Sequence, residues 1–399
     1  MTLFKKRKLS WHYGVFVALI ANSSPVLAQP DLPQAQNQAE RRSFPQRLLI
    51  VSPDGKYVAR TESSFSVGAQ GIEYSAEGSV VSLWETSSGR LLWQRKSPAN
   101  FTVRGIFSPN GQQFVCHGLH HVAQDGKITR TNSHVNAWSV ESGEELLTLK
   151  LPDNEQLHEL VFNPDGQRMI VVLHPANVPM GSGYVVHEWE AATGKKLRVI
   201  EDKPQLAVPG NWIVRHGQLV TSNAITRRGE QVQRKIYVWS LENLQLLHSF
   251  DIGEDIAYNK ALSPDGKRVA YHFHPRIEAE IAEETYLWNA GDEKPRPLPI
   301  PDNLRYNLQS LDFTPDSQTL TGAMNVWNSQ SPGMQIWLWD AQSGELKRTL
   351  ALPGAKDGNA RASYAVRLLP EGQSFLAMDG EGKIELRSLE DGSLVRTFE

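Results

Sequence analysis

Short apolar runs recur along residues 45–399 in groups of four, and each group spans about 50 residues. In the second group the runs are Thr102–Ser108, Gln113–His117, His134–Val140 and Glu145–Lys150. Short runs that alternate apolar with polar residues between turn residues predict β-strands. No group leaves room between its strands for the helix of about a dozen residues that a parallel βαβ fold needs.

A proline-containing turn follows the first strand in six of the groups. The turns are Ser52-Pro53-Asp54-Gly55, Ser108-Pro109-Asn110-Gly111, Asn163-Pro164-Asp165-Gly166, Ser263-Pro264-Asp265-Gly266, Thr314-Pro315-Asp316-Ser317 and Leu369-Pro370-Glu371-Gly372. Proline fixes φ and glycine accepts a positive φ, so each turn predicts a chain reversal between two strands. Pro164 and Pro264 are 100 residues apart, twice the group length, and the shortened turn His216-Gly217 stands in the gap.

A tryptophan ends the third strand of six groups. The series is Trp84, Trp138, Trp189, Trp239, Trp288 and Trp339, with Arg387 in the seventh group. One large side chain per unit can fill the space between neighbouring sheets, so we expect these tryptophans in the core. Seven units of four antiparallel strands predict an all-β fold, a seven-bladed β-propeller of four-stranded antiparallel blades.

The order of strand, turn, strand, tryptophan strand and Ser-Gly hairpin resembles the repeat of the WD-repeat (WD-40-like) β-propeller family, in a divergent secreted bacterial form. The resemblance covers residues 45–399. The Trp-Asp dipeptide occurs only at Trp339-Asp340, while Glu85 and Glu190 are acidic substitutes in two other blades. No Gly-His dipeptide occurs, so the buried hydrogen-bond tetrad that the resemblance implies cannot form in its usual way.

The first and last units each contain an outer strand of their own, Leu91–Lys96 and Leu394–Phe398. We therefore expect every blade to contribute four strands. The ring should close without exchanging a strand between the two ends of the chain.

Residues 1–28 predict a secretory signal peptide that is cleaved after Ala28. They combine basic residues at 5–8, an apolar stretch at Val15–Ile20 and small residues before Gln29. The apolar stretch is too short for a membrane span of about 20 residues, so we expect a periplasmic or secreted protein without a span after cleavage. Residues 29–44 are rich in Gln, Pro and Ala and predict a flexible linker.

Charge and cysteine content narrow the choice of partners. Cleavage would change the formal net charge from −3 to −7, since residues 1–28 hold four basic residues and no acidic ones. Such a surface argues against nucleic acid as a partner. Cys116 is the only cysteine, which excludes an intrachain disulfide and a cysteine-rich metal or redox site. We expect a monomer without metal or cofactor.

Motifs of common enzymes are missing from the sequence. It has no G-x-S-x-G and no phosphate-binding glycine-rich loop, and His158-Glu159 begins an H-E-x-x-H motif in which Phe162 replaces the second histidine. Residues Thr86–Trp93 look like one repeat of a quinoprotein propeller, but only this unit does so. A hydrolase or quinoprotein-like propeller enzyme with a site at the channel mouth is therefore the alternative function.

Two sets of polar residues could bind a ligand. His117, His120 and His121 lie at the end of one second strand, and His272 and His274 are two apart on another. We expect solvent-facing or inter-blade histidines, because a metal site would need a further ligand from a different blade. The innermost strands carry Arg104, Glu159, Asn259, Asp312 and Arg367. Their mixed charges predict mutual pairing, with a polar small-molecule ligand in the channel as the alternative.

The link between the second and third strands is long in six units and short in the seventh. We predict links at Thr61–Ser79, Gly118–Ser133, His174–Gly183, Ser222–Lys235, His274–Thr285 and Gly322–Gln335, against about Asp379–Lys383 in the last unit. Equivalent links emerge on one face of a propeller, and insertions confined to one face are typical of a binding surface.

These links carry side chains of the types that dominate interface energies. The partner-binding candidates are Phe65, Tyr74, His120, His121, Met180, Arg227, Arg228, Arg276, Trp327 and Met334. The sequence therefore predicts a non-catalytic protein-binding scaffold that presents one loop-rich face to a protein partner. The competing interpretation is that the links are hairpin extensions that pack on each other.

Overall fold

The computed structural model describes most of the predicted propeller. It covers residues 42–398 apart from 69–70, 75–77, 125–126, 154, 176–177, 179–182, 202–205, 207–211, 216, 223–233, 254–256, 274–283, 302–303, 305, 327–332 and 353–364. The predicted signal peptide and most of the predicted linker lie outside these residues. The first strand begins at Arg42, so the last three residues predicted as linker belong to a sheet.

The first three sheets, or blades, contain thirteen strands. Blade 1 has β1 (Arg42–Val51), β2 (Tyr57–Gly68), β3 (Gly71–Tyr74), β4 (Ser79–Glu85) and β5 (Leu91–Ser97). Blade 2 has β6 (Phe101–Phe107), β7 (Gln113–Gln124), β8 (Lys127–Ser139) and β9 (Glu145–Lys150). Blade 3 has β10 (Glu155–Phe162), β11 (Arg168–Pro175), β12 (Val185–Glu190) and β13 (Lys196–Ile200).

The other four blades contain four strands each. Blade 4 has β14 (Ile213–Arg215), β15 (Gln218–Ser222), β16 (Arg234–Ser240) and β17 (Leu246–Gly253). Blade 5 has β18 (Ala257–Leu262), β19 (Arg268–Phe273), β20 (Glu284–Asn289) and β21 (Arg296–Pro297). Blade 6 has β22 (Tyr306–Phe313), β23 (Thr319–Val326), β24 (Gly333–Asp340) and β25 (Leu346–Ala351). Blade 7 has β26 (Ala365–Leu368), β27 (Ser374–Met378), β28 (Ile384–Ser388) and β29 (Leu394–Thr397).

Each blade is an antiparallel meander, in which every strand pairs with the next along the chain. The exception is the short strand β3, which pairs only with the end of β2 and lies off the four-strand path. First strands of different blades contact each other, as β1 does with β6 and with β26, so the first strands surround the central channel. The predicted seven-bladed β-propeller of four-stranded antiparallel sheets is confirmed.

Seven apolar cores hold the ring together, one at each interface between successive blades. The core between blades 1 and 2 joins Leu83 of β4 to Phe114 of β7 and Trp138 of β8. The blade tryptophan enters six of the seven cores, and none of the six is more than 6% exposed. Each aromatic ring of this size removes roughly 150–250 Å² from water, so the prediction that the tryptophans are core residues is confirmed.

A β-bulge precedes the tryptophan position in six blades. In blade 1 the pairing of β4 with β5 shifts between Leu83 and Trp84, and the same shift recurs in blades 2, 3, 4, 6 and 7. Since a bulge re-aims the side chain beside it, this irregularity helps turn the large side chain toward the neighbouring blade. In blade 7 the position belongs to Arg387, whose Nη2 donates to Glu385 Oε2 at 2.6 Å.

The turns between first and second strands meet around the channel on one face, which we call the turn face. Each turn touches that of the next blade: Asp54 with Gly111, Pro109 with Gly166, Pro164 with Gly217, Gln218 with Gly266, Asp265 with Ser317, Pro315 with Gly372 and Pro370 with Gly55. Blade 4 takes part through Gly217 and Gln218, at the shortened turn that the sequence predicted. The turns therefore form a closed ring of contacts.

Within the described residues, which begin at Arg42, blade 7 meets blade 1 without exchanging a strand. All four strands of blade 7 come from residues 365–397, and β1 pairs with β2 of its own blade. The apolar core at this seam includes Trp84 and Phe398. Arg396 Nη1 of blade 7 also donates to Thr86 O of blade 1 at 3.0 Å. The predicted mode of closure is confirmed, and the ring closes by side-chain packing with a few hydrogen bonds.

Candidate binding face and channel cluster

The face opposite the turns, which we call the link face, carries the links between second and third strands. In blade 2 the strands β7 and β8 stay paired out to Gln124 and Lys127. Their neighbours end earlier, because β6 pairs with β7 only as far as Leu119 and β9 pairs with β8 only as far as His134. The remainder of β7 and β8 is a two-stranded ribbon that extends beyond the four-stranded part of the blade.

Blade 1 has a second ribbon beside the first. Here β1 and β2 are paired out to Arg42 and Val67, whereas β4 pairs with β2 only as far as Glu62. The short strand β3 adds to this ribbon and contacts β7 of blade 2. In these two blades the links are therefore hairpin extensions that touch each other, as the competing interpretation expected.

Several predicted link boundaries are wrong, because strands extend into the links. Most of Thr61–Ser79 and Gly118–Ser133 is strand, and Gly322–Gln335 narrows to the residues between Val326 and Gly333. A ribbon that is exposed to solvent on both faces carries polar residues on both faces. It therefore lacks the alternation of apolar and polar residues by which a half-buried strand is predicted. The tight link in blade 7 is confirmed, since Gly382 N–H donates to Asp379 O at 3.0 Å.

Two predicted partner-binding residues, His120 and His121, lie half-buried on the blade 2 ribbon. His120 Nδ1 is 3.0 Å from Pro98 O, and its ring centroid is 5.9 Å from that of His134. His121 Nδ1 is 3.0 Å from Thr131 Oγ1. Burial, followed by the charge of His120, lowers the pKa of His121 to about 4. Both imidazoles are thus tied to the ribbon base while part of each remains accessible.

The other predicted partner contacts have three outcomes. Phe65 and Tyr74 are placed opposite each other in the pairing of β2 with β3. Met334 is a correction: it belongs to β24 and is 1% exposed in the core between blades 6 and 7, so it cannot contact a partner. The remaining candidates lie outside the described residues; they are Met180, Arg227, Arg228, Arg276 and Trp327.

Charged side chains from different blades meet at the central channel. Arg104 Nε of β6 lies 3.0 Å from Glu159 Oε2 of β10. Both groups also bind the backbone of Trp212: Arg104 Nη1 donates to its carbonyl oxygen at 3.0 Å, and the Glu159 carboxylate accepts its N–H. Burial raises the pKa of Glu159 while the charge of Arg104 opposes that shift. The mutual pairing predicted for the channel residues is confirmed for Arg104 and Glu159.

Lys260 of β18 completes this group and was missed in the sequence analysis. It is 4% exposed, and its Nζ donates to Ala257 O at 3.0 Å. Burial, followed by the charge of Arg104, lowers the pKa of Lys260 to about 7, while Glu159 opposes the shift. The signal was in the sequence, because three residues before the turn the other blades have apolar residues: Leu49, Gly105, Leu160, Leu311 and Val366.

The channel residues come from blades that are not all neighbours. Blade 4, which lies between blades 3 and 5, has the shortest first strand, since β14 has three residues and the others have four to ten. Lys260 belongs to blade 5, yet it interacts with Glu159 of blade 3 and Arg104 of blade 2. Side chains of blades 2, 3 and 5 can converge only near the axis of the ring. We call Arg104, Glu159 and Lys260 with the Trp212 backbone the channel cluster.

Histidines of blades 2 and 3 adjoin the channel cluster. His117 of β7 is the cross-strand neighbour of Arg104. The ring centroid of His158 lies 5.7 Å from that of His174 and 5.2 Å from that of Tyr184. Burial lowers the pKa of His117 to about 3 and that of His158 to about 4, so both are neutral at pH 7. His117 is therefore an inter-blade histidine, as expected.

The remaining polar residues predicted near the channel form hydrogen bonds within their own blade or with the next blade. Asn259 Nδ2 donates to Leu308 O of the next blade at 3.1 Å. Arg367 Nη1 donates to the carbonyl of Val366 at 2.8 Å. Asp312 is half-buried and accepts Thr321 Oγ1 through its backbone oxygen. Of the second histidine pair, His272 Nδ1 lies 3.0 Å from Thr285 Oγ1, and His274 is outside the described residues.

Searches for other features concern only the described part of the chain. No three His, Cys, Asp or Glu side chains there are placed to hold a metal ion. In the same part, no helix has the length and apolar character to cross a membrane. The single cysteine, Cys116, is buried, and burial raises the pKa of its thiol to about 12, so the thiol is unreactive in the folded protein.

Comparison with known proteins supports the architecture. No protein-family model and no curated protein sequence matches the chain. Among solved structures, the chain is similar to the β-propeller domain of Cps50 (Swd1) from Myceliophteria thermophila, with a TM-score of 0.53 and 13% sequence identity. The match covers 87% of this chain and 98% of that one. At this identity the likeness shows the fold alone: the chain is a seven-bladed β-propeller similar to a WD40 propeller.

Proposed function

We propose that this chain is a non-catalytic protein-binding scaffold, a divergent secreted propeller of WD-repeat type that presents its link face to a protein partner. The observation that carries the proposal is the difference between the two faces. The turn face consists of short turns in mutual contact, whereas ribbons from blades 1 and 2 extend from the link face.

The packing of the ring favours this role. Seven inter-blade cores and the contacts between turns fix the positions of the blades before any partner arrives. Binding costs less conformational entropy when the contacting surface is already ordered. A rigid disc with raised ribbons on one face is therefore suited to binding another folded protein.

The ribbon of blade 2 allows a direct test of the proposal. Asn-Gly in place of residues 122–130 would close a two-residue hairpin after the pair His121 and Thr131, because Asn-Gly favours the required turn. The shortened protein should keep its melting temperature within a few degrees and bind the partner captured by the intact domain at least tenfold more weakly. Unchanged affinity in a folded variant would exclude this ribbon from the interface.

Single substitutions test the residues that the sequence placed first. We expect Trp327→Ala and Arg228→Ala to weaken partner binding by roughly tenfold or more, about 1.4 kcal/mol. Lys56→Ala is the matched control, since Lys56 lies on the turn face with its side chain 72% exposed. If Lys56→Ala weakens binding and Trp327→Ala and Arg228→Ala do not, the partner binds the turn face.

Export is part of the proposal and has its own measurement. A signal peptide cleaved after Ala28 would leave a mature chain that begins at Gln29 and works in the periplasm or outside the cell. The intact mass of the protein recovered from the cell envelope or medium should therefore lack residues 1–28. A full-length mass in the cytoplasmic fraction would contradict export.

The second candidate is an enzyme acting at the channel mouth. One observation favours it: the pKa of Lys260 is lowered to about 7 by burial, and an amine of that pKa can take up a proton at neutral pH. Turnover of ester, lactone or phosphoester substrates by the wild type and its loss in Lys260→Met would support this function. The absence of turnover in both proteins would argue against the enzyme and favour the binding scaffold.

A further inference from the structure

Several buried polar atoms of blades 2 and 3 lack a hydrogen-bond partner. Among the described residues, neither ring nitrogen of His117 or of His174 has such a partner, and the same holds for His158 Nε2 and Thr102 Oγ1. His117 is 3% exposed and His174 is 1% exposed. Buried polar groups are nearly always hydrogen-bonded, so a group of unsatisfied ones indicates a polar occupant.

The charges beside these atoms determine which occupant fits. Arg104 and Lys260 contribute two positive charges to the channel cluster, and Glu159 contributes one negative charge. Glu159 forms an ion pair with Arg104 and accepts the Trp212 N–H, while its Oε2, 3.0 Å from Arg104 Nε, has no aligned hydrogen-bond donor. A buried charge needs a partner, and among the described residues Lys260 has one acceptor within hydrogen-bond distance, the carbonyl oxygen of Ala257, in addition to its longer-range attraction to Glu159. One negative charge would complete the balance.

Solvent access to the channel cluster and its hydrogen-bond donors also favour an anion. The side chain of Arg104 is 30% exposed, so solvent reaches the cluster at this residue. A guanidinium binds carboxylate and phosphate oxygens through parallel N–H donors, and a neutral imidazole such as His117 supplies one more N–H.

We propose that the channel cluster binds a compact oxyanion, a phosphate or small carboxylate group, through Arg104 and Lys260 with His117 as a neutral donor. A cation is disfavoured by the two positive side chains. The site does not depend on a protein partner, so it stands or falls independently of the scaffold function.

Calorimetric titration of the purified protein with inorganic phosphate, and separately with acetate, tests the site. The reference is sodium chloride at the same ionic strength and pH 7. We expect saturable binding of at least one oxyanion, at least tenfold weaker in Lys260→Met and unchanged in Lys56→Met. Preference between phosphate and acetate identifies the natural chemistry. Identical responses to the oxyanions and chloride would overturn the proposal, as would unchanged affinity in Lys260→Met.

A second measurement needs no variant that could fail to fold. An anion beside Lys260 stabilises its charged form, and since burial holds the pKa of Lys260 at about 7, binding at pH 7 should draw protons from solution. Binding heats of acetate, which itself stays ionised at pH 7, in two buffers of different ionisation enthalpy measure this uptake. Binding without proton uptake would place the ion elsewhere.

Discussion

At the scale of single residues, the same inter-blade position is satisfied in different ways around the ring. Trp239 Nε1 donates to Thr221 Oγ1 within its own blade at 3.0 Å, and Trp339 Nε1 donates to Pro299 O at 3.0 Å. Arg387 fills the position with a guanidinium held by Glu385. These three solutions bury a large side chain while pairing its polar atoms, whereas Trp189 Nε1 of blade 3 is buried without a hydrogen-bond partner.

Replacing one of these tryptophans should open a cavity at a blade interface. Trp339 is fully buried in the core between blades 5 and 6. We expect Trp339→Ala to lower the free energy of unfolding by about 3–5 kcal/mol, measured by urea denaturation. The control Leu247→Ala removes a side chain that is 41% exposed and should cost less than about 1 kcal/mol. A fully stable Trp339→Ala protein would show that the core assignment is wrong.

The buried histidines predict a loss of stability in mild acid. Burial lowers the pKa of His158 to about 4, below the value of about 6.5 in an unfolded chain. Between these values the unfolded state binds more protons, so stability is complete above pH 6.5 and is lost as the pH falls toward 4. His158→Phe should reduce the stability lost between pH 7.5 and 5 by about 1–2 kcal/mol. Parallel pH profiles of the two proteins would contradict this.

At the scale of elements, the sequence predicted those strands and turns that have a local residue pattern of their own. The proline turns and tryptophan strands were predictable because a turn needs particular residues and each tryptophan ends an apolar strand. The ribbons were not, since β7 and β8 lose their alternation beyond the sheet. The prediction for Met334 was wrong for a different reason, because β24 begins at Gly333, two residues before the predicted end of the link at Gln335. Lys260 could have been recognised by comparing the first strands of the blades at the same distance from their turns.

Contact between neighbouring turns should itself stabilise the ring. Alanine substitutions at two glycines, one with a close neighbour and one without, distinguish this contact from the cost of the backbone conformation. Gly372 and Gly111 have almost the same φ, 73° and 70°. A Cβ at Gly372 would lie 2.6 Å from Pro315 Cδ, whereas at Gly111 the nearest atom, of Asp54, is 3.9 Å away. Both substitutions to alanine should cost about 1 kcal/mol for the left-handed conformation. Gly372→Ala should cost about 1–3 kcal/mol more. Equal losses in chemical denaturation would mean that the turns do not touch.

At the scale of the whole molecule, closure without strand exchange makes the seam between blades 7 and 1 dependent on the last strand. Removing residues 394–399 deletes β29 together with Phe398 of the seam core and the bond from Arg396 to Thr86. Because each blade is stabilised by its neighbours, loss of one seam weakens the ring as a unit.

The buried thiol of Cys116, at the interface of blades 1 and 2, reports on this opening. In the truncated protein, labelling by a thiol reagent under native conditions should be at least on the order of tenfold faster than in the intact protein. Arg396→Ala, which removes only the hydrogen bonds, should have a smaller effect. Unchanged labelling after truncation would show that the seam does not support the rest of the ring.

The central claim is that a protein partner binds the link face. Hydrogen–deuterium exchange of the domain, alone and saturated with the captured partner, tests it most directly, because backbone protection can be read separately for each face. We predict that binding protects the ribbon of β7 and β8 and the ends of β2 and β3. The turns around Gly55, Gly166 and Gly372 should exchange as in the free domain. Protection confined to those turns or to the outer strands, with the ribbons unaffected, would contradict the account.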